Sequence, residues 1–145
     1  MSEAPRIVHE RIEHIPFKVK ISFDDTVTER MANELGVADH LKSLVLFTDA
    51  LRALRLEHGL DLENLRQKGL ALAVEGMENK YKVQLLPGDK VKTVMSAFLD
   101  GEILKFEGRV FKGDQLAVES LTSMDLVNIE DNNPVALPDW IRDIF

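Results

Sequence analysis

The sequence predicts an α+β domain in which one long helix is wrapped by a curved antiparallel sheet. Two observations carry this expectation. One stretch in the first half is apolar almost all round at helical spacing, and everything after Gly69 alternates extended runs with tight-turn residues. At 145 residues the chain has the usual size of a single domain. One domain spanning 1–145 is therefore expected, with 1–16 as an N-terminal extension.

The elements follow in order. Phe17, Val19, Ile21 and Phe23 alternate with Lys18, Lys20 and Ser22, the period-two pattern of a half-buried strand. Asp24 and Asp25 then read as punctuation. Thr26 to Leu35 fits either a continued strand or a short helix ended by Gly36. Asp39 is a good N-cap, and Leu41 to His58 reads as a helix stopped by Gly59. Leu41, Leu44, Val45, Thr48, Leu51 and Leu54 form one face, while Leu46, Phe47, Ala50 and Ala53 add apolar groups on the other sides. Such a helix is buried rather than laid on a surface. Asp61 caps a short helix, Leu62 to Lys68. Leu70 to Leu86 is extended, Pro87-Gly88-Asp89 turns it, and Lys90 to Leu99 runs on. Asp100-Gly101 marks a tight hairpin, Ile103 to Phe111 returns, Lys112-Gly113-Asp114 turns again, and Gln115 to Ile129 is the last strand. Short successive connections predict an antiparallel meander.

Composition excludes several classes of function. The chain carries 25 Asp and Glu against 18 Lys and Arg, a net charge of −7. A general nucleic-acid binder needs a basic surface, so no nucleic-acid partner is expected. With no cysteine there is no disulfide framework, thiol nucleophile or Cys-ligated zinc. His9, His14 and His58 lack metal-ligand spacing, so neither metal nor cofactor is expected. The Rossmann and P-loop glycine patterns and the Gly-x-Ser-x-Gly elbow are missing. No run reaches the ~18 apolar residues of a membrane span, and Met1 to Ile15 lacks the apolar centre of a secretory signal. A cytoplasmic protein without a membrane partner is the expectation.

Four pieces, in order, resemble the hotdog fold, and within it the 4-hydroxybenzoyl-CoA thioesterase family. They are Leu46 to Leu60 (LFTDALRALRLEHGL), Asp61 to Val74 (DLENLRQKGLALAV), Glu78 to Val91 (ENKYKVQLLPGDKV, with Tyr81 seven residues before Gly88-Asp89) and Asn133 to Trp140 (NPVALPDW). The resemblance covers about Phe17 to Ile141. It implies hydrolysis of an acyl-CoA or acyl-carrier-protein thioester by a carboxylate, with backbone N–H groups at the start of the central helix polarising the carbonyl. It also implies a homo-oligomer, a dimer or a dimer of dimers, with sites at the subunit interface.

The family's Asp-x-x-Gly-His signature is not present as such, and three placements of the catalytic group stay open. An ungapped alignment puts Gly36 at the glycine and Asn33 where the acid belongs; Asn33 could orient water or donate to an oxyanion. An insertion after the first strand would instead make Asp25, beside Asp24, the acid. In the third placement Asp49 in the central helix is nucleophile or base, with His40 and Leu41 shaping the carbonyl-binding turn. Asp49 stands in sequence amid Leu46, Phe47, Ala50 and Leu51, and a carboxylate in apolar surroundings pairs, shifts its pKa or works as an acid or base. Tyr81 is expected against the helix. Lys80, Lys82, Lys90 and Lys92 are read as lying on neighbouring strands, able to meet CoA phosphates or simply to face solvent. The competing reading is a non-catalytic module that binds acyl-CoA or serves as a structural subunit.

Overall fold

A computed structural model of the chain describes residues 17–31 and 44–145. Among these residues one antiparallel sheet is formed by β1 (Val19–Thr26), β2 (Leu70–Tyr81), β3 (Lys90–Asp100), β4 (Ile103–Lys112) and β5 (Gln115–Asn128). The helices are α1 (Val45–Glu57), α2 (Leu62–Gln67) and α3 (Asp139–Arg142), with a 3-10 turn at Glu29–Met31. The strands lie in the order β1-β3-β4-β5-β2.

The tight-turn residues build β3, β4 and β5 into the expected meander. Gly101 closes the first hairpin with a φ of 62°, a conformation that residues with a Cβ rarely adopt. β2 departs from that pattern. It pairs with β5 at one edge of the sheet, and the chain then crosses to begin β3 beside β1. The crossing is held at both ends. The Lys82 and Val83 N–H groups donate to the Ala117 carbonyl at 2.7 and 3.1 Å. At the far end, Gly88 N–H donates to Val27 O at 2.7 Å and Val27 N–H donates to Asp89 O at 2.8 Å. Leu85, buried between them, anchors the connection in the core.

Asp24 and Asp25 do not end β1, which continues to Thr26. Asp24 lies directly opposite Lys92 on β3, and their charged groups are 3.5 Å apart. This cross-strand pair makes an aspartate acceptable within the strand.

α1 packs on the sheet over β1, β3 and β4. It buries one face, Leu46, Phe47, Ala50 and Leu54. Val45, Thr48, Asp49, Arg52 and Leu56 point away and are exposed. The all-round apolar pattern thus resolves into one contact face with exposed apolar groups behind it, because a single sheet layer covers a single side. Gly108 on β4 sets how closely α1 approaches: a Cβ there would lie 2.4 Å from the Phe47 ring.

β2 carries a bulge between Val74 and Gly76, which locally breaks the ladder and bends the strand. The C-terminal segment folds back on the sheet, with Leu137 and Ile141 in the core. Glu102, beside the β3–β4 turn, fastens it: one carboxylate oxygen accepts the Leu137 N–H at 2.7 Å, and the other pairs with the Arg142 guanidinium. Lys68 Nζ lies 5.6 Å from the centre of the Trp140 ring, within cation–π range.

Candidate functional site

The strand register lines up rows of side chains beneath α1. Partners across a ladder share a face of the sheet. The middle row runs Ile21, Met95, Gly108, Ser120, Asn79. The row on one side runs Val19, Ala97, Phe106, Thr122, Met77, and that on the other runs Phe23, Thr93, Val110, Val118, Tyr81. Phe47, in the first turn of α1, sits on the middle row at Gly108. Beyond that contact, toward β2, the rows continue as a shelf of Ser120, Thr122, Asn79, Met77 and Tyr81.

The shelf combines polar groups with open apolar surface. Ser120 and Thr122 are buried. The Asn79 Oδ1 is closed to solvent and accepts no hydrogen bond. Met77 and Tyr81, at the strand edge, are exposed by 56% and 44%. Leu44 precedes α1 and supplies no side-chain cap. Leu44 is itself in the αR region, and Phe47 is the first-turn residue that reaches the sheet beside the shelf, at Gly108. The polar groups the shelf brings together are the Ser120 and Thr122 hydroxyls and the Asn79 amide.

Asp49 is on the outward side of α1. Its side chain is 67% exposed and its carboxylate lies 4.0 Å from Arg52 Nη1. The apolar neighbours it has in sequence point the other way, so it is not desolvated within the single chain. Asp25 lies opposite Val91, outside the three rows and at the β1 edge. It lines an open depression of about 350 Å³ with Asp24, Lys90, Lys92 and Phe111. β3 and β4 separate β1 from β5, so Asp25 is roughly 14 Å or more from the shelf at ordinary strand spacing. Asn33, Gly36, His40 and Leu41 lie outside the described residues. Tyr81 shares the helix-side face but stands half-exposed at the edge rather than packed into the core. The four lysines do not share neighbouring strands. β2 and β3 are separated by β5 and β4, which puts Lys80 and Lys82 far across the sheet from Lys90 and Lys92.

Ser120, Thr122 and Asn79 were not singled out by sequence reasoning. Their signal is a break in the inward-facing series of β5, where Ser120 and Thr122 replace apolar groups between Val118 and Met124. Its meaning depends on the β2–β5 register, which brings Asn79 opposite Ser120. Two titratable groups elsewhere are shifted. The Leu86 N–H at 2.8 Å, then Lys112, hold the Asp89 carboxyl below its usual range. Burial lowers Arg55, and the nearby Asp61 charge partly opposes this. Among the described residues no group of three His, Asp or Glu could hold a metal ion, and no helix is long and apolar enough to cross a membrane.

One helix laid on an antiparallel sheet of order β1-β3-β4-β5-β2 is the hotdog fold. Solved structures share it over most of their length. A 1,4-dihydroxy-2-naphthoyl-CoA thioesterase from Synechocystis superposes with a TM-score of 0.76 at 14% identity, covering 86% of this chain and 94% of its own. A Staphylococcus aureus protein solved in complex with CoA gives 0.79 at 18% identity, over 90% and 84%. A probable thioesterase from Bartonella henselae gives 0.69 at 20% identity, over 82% and 99%. No family model matches the sequence, and no curated protein matches it.

Proposed function

We propose that this protein is a thioesterase acting on acyl-CoA or acyl-carrier-protein thioesters. The observation that carries the proposal is the hotdog fold itself, shared over nearly whole chains with structures described as thioesterases and with one that binds CoA. The shelf supports the reading, because it gathers the Ser120 and Thr122 hydroxyls and the Asn79 amide as hydrogen-bonding groups for a thioester carbonyl that gains charge. Water is the attacking group, assisted by Asp49 or Asn33, or by Asp25 if the carbonyl binds at the β1 edge instead of on the shelf. His40 and Leu41 shape the carbonyl-binding turn together with Gly36. The active form is a homo-oligomer, a dimer or a dimer of dimers, with Tyr81 near the substrate.

The test is hydrolysis of a panel of aliphatic and aromatic acyl-CoAs, with Asp49→Ala, Asp25→Ala and Asn33→Ala in parallel. The variant that removes the acid or the water-orienting group should lose about 100-fold or more in kcat/KM. If the wild-type chain turns over none of the esters, the thioesterase reading fails. The exposure of Asp49, together with its pairing to Arg52, favours a second reading, a module that binds acyl-CoA without cleaving it. Stabilisation by CoA esters in a thermal-shift assay, with no release of free thiol, would select that reading.

A further inference from the structure

We infer that the N-terminal segment, residues 1–16, packs as an amphipathic helix across the outer face of the sheet, the face turned away from α1, and builds a second small core there. The inference stands apart from the thioesterase reading, since its test measures no hydrolysis.

The outer face is closed to water within the single chain. One of its rows runs Ser22, Val94, Arg109, Glu119, and the next runs Lys20, Ser96, Glu107, Leu121. Val94, Phe111 and Leu116 form an apolar cluster of their own, exposed by 1%, 4% and 2%. The side chains of Arg109 and Glu107, which pair with each other, are only 17% and 23% exposed. Charged side chains on a solvated face stay mostly in water, so something lies over them. Toward β2 the face opens again, and Glu78 and Lys80 are exposed. Among the described residues α1, α2 and the C-terminal segment all contribute to the other core, on the α1 side. A second copy of the chain would not explain burial that is complete within one.

Two segments remain, 1–16 and 32–43. The second joins Met31, buried in the core beneath α1, to Leu44, which packs against that same core. Both of its ends lie on the wrong face. The first ends on the right one. Val19 belongs to the α1-side core, and strict alternation would turn Phe17 the same way. Instead the Phe17 ring stacks on Phe98, with centroids 4.3 Å apart and planes 9° apart. Phe98 shares the outer face with Lys105 and Ser123, and Phe17 packs against the Val94 cluster. The chain therefore arrives at β1 from the outer side.

The segment has the length and the pattern to cover that face. β1 and β5 are three strand spacings apart, roughly 14 Å, and twelve helical residues reach about 18 Å. At ~100° per residue Ala4, Val8, Ile12 and Ile15 fall on one side, with Ile7 at its border. Glu3, Arg6, His9, Glu10, Glu13 and His14 fall on the other. Arg11, the one charge on the apolar side, comes down on a face that carries Glu107 and Glu119. Pro5 suits the first turn of such a helix, and Pro16 ends it before β1. With the outer face taken, two sheets cannot stack through it, and any assembly of dimers must use other surfaces.

The chain has no cysteine, so introduced pairs report contacts without background. In the full chain, Val94→Cys or Leu116→Cys is combined with Val8→Cys, Ile12→Cys or Ile15→Cys. At least one such pair should close within a single chain on mild oxidation, whereas pairs with Glu10→Cys or Glu13→Cys should stay reduced. Trypsin supplies a second arm. Val8→Asp, a change outside the sheet, should speed cleavage after Arg11 about tenfold or more, because it undocks the segment. Disulfides that form only between chains, disulfides from the polar side and none from the apolar side, or a wild-type chain cut after Arg11 as fast as Val8→Asp would each overturn the inference.

Discussion

The two edges of the sheet are built on different rules. β1 is an eight-residue strand whose outward face carries charge, with Lys20 and Asp24 along it and Lys92 answering Asp24 from β3. α1 covers its inner face. β2 is a twelve-residue strand with a bulge and three exposed apolar side chains. Charge on an edge strand discourages further pairing, whereas exposed apolar surface invites it. The contrast separates a half of the sheet that α1 covers and charge closes from a half whose edge leaves apolar side chains exposed.

The largest expected effect comes from breaking the covered half. Leu54 is fully buried where α1 meets the sheet, and Leu54→Ala should cost about 2–5 kcal/mol in urea unfolding. A loss below about 1 kcal/mol would mean that α1 is not the cover of that half. The next prediction sets one edge against the other. Met77→Asp on β2 should weaken self-association at least tenfold, about 1.4 kcal/mol, with little change in the unfolding of the monomer. Phe23→Asp on β1, at a residue 38% exposed, should leave association unchanged. Equal effects on sedimentation at both edges would erase the distinction.

The smallest effect concerns the turn that ends the crossing beside β1. Asp89 accepts the Leu86 N–H and pairs with Lys112 at 3.0 Å, which keeps its carboxyl below the usual range. A lowered folded-state pKa gives stability that is present above the ordinary carboxylate value and lost as pH falls through the lowered one. Asp89→Asn should therefore cost about 1 kcal/mol near neutral pH, with the gap to wild type closing in acid. A gap that stays constant down to about pH 3 would show that the charge is not what holds this turn.

Much of the fold was legible in the sequence because local chemistry encodes it. The Asp-Gly and Lys-Gly-Asp turns gave β3, β4 and β5, and the apolar run gave α1. The path of β2 was not legible: Pro87-Gly88-Asp89 looks like a hairpin turn, and only its bonds to Val27 show that the chain has crossed the sheet. Nor does sequence say that Lys92 will answer Asp24 and let β1 run on. The candidate site was legible only in part. Asp49 looked enclosed because its sequence neighbours are apolar, but a helix turns those neighbours away. Ser120, Thr122 and Asn79 come together only through pairing between distant strands.

The bulge in β2 has a consequence for colloidal behaviour. A long, regular, apolar edge could add strand after strand and grow as a fibre. Here regular pairing is limited to the stretch from Gly76 to Tyr81. A defect of one residue can thus act as a stop, shortening the stretch of rim on which a further strand could add.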